Sequence, residues 1–174
     1  MEQKKFLFGQ YFINSDIKEP IEWIVIEETD DTITLISKQV LFFMPFNQEY
    51  QKNWSWYNSS LRNYLNTEFC KEAFNDDELD KILPDENMDK VHLISIKSAR
   101  ELLTDEWLLA TATSYAKSKV FLYSNTAKGD SWWLCNRGYS SSDTAVVNYN
   151  GYIYTDGRFT TNKEGVRPVI ILKK

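Results

Sequence analysis

The spacing of apolar residues changes twice along this chain, and that double change limits the folds open to it. From the N-terminus, KFLFGQYFI (5–13), IEWIVIEE (21–28) and TITLISK (32–38) are short β-branched and aromatic runs that read as strands. Thr29, Asp30 and Asp31 supply the turn between the last two. Ile21 to Ile26 is apolar at nearly every position, which predicts a strand covered on both faces.

The middle of the chain takes up helical spacing. Leu61, Tyr64, Leu65 and Phe69 fall at i, i+3, i+4 and i+8, a single stripe, with Asn58 or Ser59 as N-cap. Leu79, Ile82 and Leu83 repeat the pattern behind Asn75 and an acidic first turn, and Pro84 ends it. VHLIS (91–95) reads as a strand, SARELL (98–103) as a short helix, and LLATATSYAKS (108–118) as a further helical piece.

The last third returns to strands: SWWLCN, TAVVNYN, GYIYT and VRPVIILK. Asn150-Gly151 and Asp156-Gly157 are its two hairpin signals, because both central residues of a type I′ turn need positive φ. Strands, then helices, then strands with short connections predict an α+β fold with a mainly antiparallel sheet. At 174 residues, with no low-complexity linker and no internal repeat, residues 1–174 read as one domain.

Charge and apolar content narrow the partners. Charged residues make up 26% and hydrophobic ones 43%, a globular composition. The net charge is −5 with no dense basic run, which argues against nucleic acid. No apolar stretch approaches the ~18 residues of a membrane span. MEQKKFLFGQYF lacks the apolar region of a signal peptide, so a cytoplasmic location is expected.

Residues able to carry chemistry are few. One histidine and two distant cysteines do not make a zinc site, no EF-hand loop or sugar-type calcium triplet is present, and no metal or cofactor is expected. No glycine-rich phosphate loop precedes a helix. His92 in its apolar run reads as a hydrogen-bonded, half-buried side chain. Cys70 and Cys135 are either one disulfide or two reduced thiols, the second being favoured; Cys135 beside Arg137 is the one candidate for thiol chemistry. Arg62 and Arg167 sit among apolar neighbours, where a buried guanidinium needs a carboxylate or several carbonyls, so both read as structural.

FGQY, IEWIVI, WYNSSLRNYLNTEF, VHLIS, TSYAKS, WWL and GVRPVIIL, in this order over roughly residues 8–172, resemble a bacterial and phage domain family of unknown function. That family in turn is similar to the C-type-lectin-like superfamily, which includes the formylglycine-generating-enzyme type. The resemblance implies a C-type-lectin-like binding scaffold, with paired N- and C-terminal strands and ligand contacts on the segment between Trp132-Trp133-Leu134 and Gly165-Val166-Arg167. Relatives place arginine directly after WWL; here that position is Cys135, and Arg137 is the nearest arginine. Formylglycine-generating chemistry needs a close cysteine pair near the C-terminal end, which this chain lacks.

Adjacent residues of a strand face opposite ways, so one of Trp132 and Trp133 is expected in the core and the other over a loop or pocket. Aromatics reach 15% of the chain, and the stretch beyond the tryptophans mixes Tyr, Ser, Asn and Gly as adaptable recognition surfaces do. The expected function is non-enzymatic binding of a protein, peptide or glycan without calcium. The expected site is Trp133, Arg137, Tyr139, Asn148, Tyr149 and Tyr152, with Arg62, Trp132 and Arg167 as supports. The alternatives are an enzyme using Cys135 and an assembly domain of a bacterial or phage particle.

Overall fold

The computed structural model describes residues 6–120 and 128–174, which build two five-stranded sheets bridged by short helices. In the first sheet, β1 (Phe6–Phe12), β2 (Lys18–Glu28) and β3 (Thr32–Ser37) form a meander. The last strand of the chain, β10 (Val169–Lys173), joins the free edge of β3, and β5 (Ile82–Leu83) pairs with β10. The second sheet has the order β4 (Phe42–Pro45), β9 (Lys163–Val166), β6 (Trp132–Arg137), β7 (Asp143–Val147) and β8 (Ile153–Phe159). Every pairing is antiparallel except that of β6 with β9 at Trp132 and Gly165. The fold is α+β, one compact unit.

The expected pairing of the first and last strands does not occur. β1 spends its inner edge on β2, from Phe6 opposite Trp23 to Phe12 opposite Lys18, while the tight β2–β3 turn leaves β3 open for β10. The terminal strands are therefore separated by two others. VHLIS also forms no regular strand: His92 makes a single bridge to Val169, and the chain enters a helix four residues later.

The helices start where local chemistry sets them. Ser59, not Asn58, caps α1 (Ser60–Tyr64) by accepting the Arg62 N–H. The backbone widens into a π-turn over Leu65–Phe69 and resumes as α2 (Cys70–Ala73). Leu61, Leu65 and Phe69 are all wholly buried along this helix. Asn75 and Glu78 close a reciprocal capping box on α3 (Asp76–Lys81). Ser95, Thr104 and Thr113 cap α4 (Ile96–Leu102), α5 (Asp105–Leu108) and α6 (Ser114–Ser118).

Two apolar clusters hold the sheets. One gathers Trp23, Phe46, Trp54, Phe69 and Trp133; the other gathers Ile24, Ile36, Val40, Trp132, Leu134 and Val147. β2 feeds both, with Ile21 and Trp23 in the first and Ile24 and Ile26 in the second, as a strand covered on both faces must. β6 does the same, so the paired tryptophans straddle the two cores. Trp132 and Trp133 are both wholly buried, with indole N–H groups donated to Leu108 O (3.1 Å) and Met44 O (2.8 Å). The expectation that one of them faces a loop or pocket is corrected. β6 is an inner strand between β9 and β7, and both of its faces are covered.

Candidate functional site

β8 closes the second sheet, and no further strand pairs with it among the described residues. β7 beside it is buried from Thr144 to Val147, whereas β8 shows most of its side chains to solvent. Ile153 turns inward against the second cluster. Tyr154, directly opposite Val146, lies on the outward margin of the other face. Ten large apolar side chains are exposed among the described residues, and five of them belong to this region: Tyr139, Tyr149, Tyr152, Tyr154 and Phe159. That concentration exceeds the scatter of single apolar residues on an ordinary surface.

A bulge shapes this edge. Thr144 faces Arg158 and Val146 faces Tyr154, so β8 carries two more residues than β7 over the same interval. Gly157 is the pivot, at φ +86; a Cβ there would stand 2.4 Å from Thr144 O. Asp156-Gly157 is therefore a bulge inside a strand and not the expected hairpin. The positive-φ demand behind the signal was real, but Asp156 keeps negative φ and the chain runs on. Asn150-Gly151 does lie in the β7–β8 turn, with positive φ at Gly151 alone.

The bulge turns Asp156 O toward the loop after β6, where it accepts the Tyr139 N–H at 2.9 Å. Ser142 O accepts from Thr160 N at 2.8 Å, fixing the same loop a second time. Between loop and strand lies a cleft of about 360 Å³ walled by Tyr139, Tyr154, Arg158 and Phe159, with Asp143 and Asn162 among its polar groups. The Arg158 guanidinium stands over the Tyr154 ring, 5.1 Å from its centroid. Rigid rings beside a stacked cation, with carboxylate and amide groups nearby, can stack on a flat apolar surface and orient polar groups at its edge.

The expected site residues separate into three groups. Tyr139, 89% exposed, lines the cleft. Tyr149 and Tyr152 are exposed at the far end of β8 beside the β7–β8 turn. The remaining three are occupied within the fold. Trp133 is core. Asn148 accepts the Asn150 and Tyr152 N–H groups with its Oδ1 and so builds the turn. Arg137 donates Nε and Nη2 to Trp54 O and lies over the Trp54 ring, 5.2 Å from its centroid. The Trp54 indole in turn donates to Ser141 O. Arg137 thus pins, through Trp54, the loop that carries Tyr139, and is not itself among the residues lining the cleft.

Sequence reading missed Tyr154, Arg158 and Phe159. The alternation of Tyr152, Ile153 and Tyr154 was a usable signal for the first. The other two follow the dipeptide misread as a turn.

The supporting arginines find different partners. Arg62 forms an ion pair with Asp89 at 2.7 Å, and Asp89 also accepts the Trp56 indole N–H at 2.9 Å. Asn66 holds the adjacent backbone by accepting from Lys90 N and Val91 N. Arg167, 1% exposed, donates to the carbonyls of Ser37, Trp107 and Lys38 and stacks over Trp132 at 4.6 Å. Desolvation works against its charge and lowers its pKa, and these acceptors and the ring offset it.

Both cysteines are free thiols. Burial pushes Cys135 up to about 11, with Asp85 adding to the rise, and Cys70 likewise to about 11. A thiol so held is a poor nucleophile at neutral pH. Among the described residues, no group of three or more His, Cys, Asp and Glu side chains could hold a metal ion, and no helix is long and apolar enough to cross a membrane.

A family described as a domain of unknown function, DUF6273, matches residues 30–130, more than half of the chain. The match takes in the Trp56–Arg62–Asn66–Asp89 framework and stops short of β6, so the cleft lies beyond it. No curated protein and no solved structure matches the chain.

Proposed function

The chain belongs to the DUF6273 family, which carries no assigned function, and on that premise we propose that it is a non-enzymatic binding module. Its ligand, a protein, peptide or glycan, is taken without calcium on the β8 edge. The observation that carries this reading is the gathering of Tyr139, Tyr154 and Phe159 around one cleft with Arg158, at a strand that pairs with no further strand among the described residues. Water-exposed rings cost a soluble protein solubility unless a partner covers them, and here a bulge and two backbone hydrogen bonds hold them in place.

The C-type-lectin-like kinship forms part of the same proposal. In its favour, the strands bearing Trp132-Trp133-Leu134 and Gly165-Val166 lie side by side, and the segment between them carries the aromatic residues. The separated terminal strands count against it.

A glycan and peptide array, run with and without chelator, tests the function. A specific hit that survives chelator and is lost in Tyr139→Ala and Phe159→Ala supports the reading. A hit that both variants keep removes the cleft from the account.

A further inference from the structure

The loop after β6 is held at four points, and three of the holds are local to the second sheet. Gly138 N–H donates to Asp143 O at 2.7 Å, Tyr139 N–H to Asp156 O at 2.9 Å, and Thr160 N–H to Ser142 O at 2.8 Å. The fourth comes from the family-matched half of the chain. There the Trp54 indole N–H donates to Ser141 O at 2.9 Å, across 87 positions of sequence.

Trp54 lies in a stretch, 46–55, that forms neither helix nor strand. Lys52 and Asn53 before it are exposed, yet Trp54 is buried. Its ring packs edge-on against Phe46 with centroids 5.0 Å apart, and Phe46 packs in turn against Trp133 at 5.7 Å. Arg137 donates Nε to Trp54 O at 3.0 Å and lays its guanidinium over the indole. The indole N–H is therefore a donor on a fixed ring. Trp23, Trp56, Trp132 and Trp133 donate their indole N–H groups elsewhere in the fold, as buried indoles must. That of Trp54 goes to a residue two places from Tyr139. A side chain as exposed as Tyr139 is placed by its backbone and not by packing, so whatever holds the loop also places the ring.

We propose that Trp54 is a positioning residue of the β8 cleft. It does not line the cleft, and it sets ligand affinity through the loop that carries Tyr139. The inference rests on the reading of the cleft as the binding site. It gives the family-matched half, which ends before the cleft, a part in holding that site.

Trp54→Phe keeps a ring beside Phe46 and the carbonyl that Arg137 uses, and removes only the indole N–H with its second ring. Arg137→Met changes an exposed side chain, so the fold is kept while the hold on Trp54 is lost. Amide hydrogen exchange at Tyr139 reads the loop, and exchange at Cys135, whose N–H is donated to Ile94 O, reads the inner strand. The Tyr139 amide should exchange about two- to tenfold faster in Trp54→Phe, the net worth of one hydrogen bond. Arg137→Met should move it the same way and leave Cys135 unchanged. The array-selected peptide or glycan should lose affinity in both variants by the factor that the exchange shows. Unchanged exchange at Tyr139 in both variants, or an equal rise at Cys135 in Arg137→Met, would overturn the positioning role. A faster Tyr139 amide with unaltered affinity would overturn its link to the ligand. An array that selects nothing counts against the binding reading, and the exchange result then decides the Trp54 hold by itself.

Discussion

Replacing Asp89 tests how the family-matched half of the chain is held together. Asp89 is 2% exposed: Arg62 Nε donates to both of its oxygens at 2.8 Å, Trp56 Nε1 donates to Oδ2 at 2.9 Å, and Arg62 Nη2 stands 2.7 Å from Oδ1 as the ion pair. Alanine leaves the indole N–H without an acceptor in a buried setting, a loss of about 1–3 kcal/mol. It also leaves Arg62 without its carboxylate. A full buried-pair penalty would be about 3–5 kcal/mol, but the Arg62 side chain is 27% exposed and keeps Tyr57 O at 3.0 Å, so its share is nearer 2 kcal/mol. The total for Asp89→Ala is about 3–5 kcal/mol, a fall in Tm of roughly 6–20 °C for a chain of this length. Asp89→Asn keeps an acceptor for the indole and should lose only about 2 kcal/mol. Urea unfolding followed by tryptophan fluorescence measures both. A loss below about 1 kcal/mol in Asp89→Ala, or equal losses in the two variants, would show that Asp89 does not hold Arg62 and Trp56 in this way.

Other expectations follow from the same geometry. With its pKa at about 11, the Cys135 thiol should react with iodoacetamide at pH 7.5 about a hundredfold more slowly than a free cysteine of pKa 9, and fast alkylation would revive thiol chemistry. His92 holds its proton less tightly in the fold than when unfolded, so stability is whole above the ordinary imidazole range and declines as pH falls through it. A ¹H NMR titration of the one imidazole, run beside urea unfolding from pH 7 to 5, checks that sign; an apparent pKa above 6.5 would contradict it. Gly157→Ala forces a Cβ to 2.4 Å from Thr144 O at φ +86, and should cost more than 1 kcal/mol and disturb the β8 amide resonances; an unchanged spectrum would show that the bulge does not depend on Gly157.

Much of the fold was legible because it depends on local spacing. The apolar run through Ile21–Ile26, the stripe at Leu61, Leu65 and Phe69, and the Asn75 cap each state their element in a few residues, whereas Ile82 and Leu83, read as helical up to Pro84, leave the helix after Lys81 to pair with β10 as β5. β4 carried no such signal, because Phe42–Pro45 is only four residues and its partner β9 lies over a hundred positions away. The choice of β3 over β1 as the neighbour of β10 is a matter of which edge remains free, and that is settled only once the meander has formed.

The site was legible in place and less so in its members. Sequence reading found the segment and Tyr139. It counted Trp133, Arg137 and Asn148 as ligand contacts because nothing local says that β6 is an inner strand, that Trp54 arrives from 83 positions away to take the exposed Arg137, or that Asn148 turns back on its own loop. Arg62 could be marked as needing an acid, but Asp89 was one of 25 acidic residues available.

On the proposed function, the β8 cleft is a calcium-independent binding surface. The most direct test titrates an array-selected ligand, in chelator, into the wild type and into a Tyr139→Ala/Phe159→Ala double variant. Both side chains are largely exposed, so stability should change by less than about 0.5 kcal/mol for each. An affinity loss of tenfold or more is expected, since two ring contacts are worth about 0.5–1.5 kcal/mol each beyond their buried area. Equal affinity in a folded double variant would contradict it.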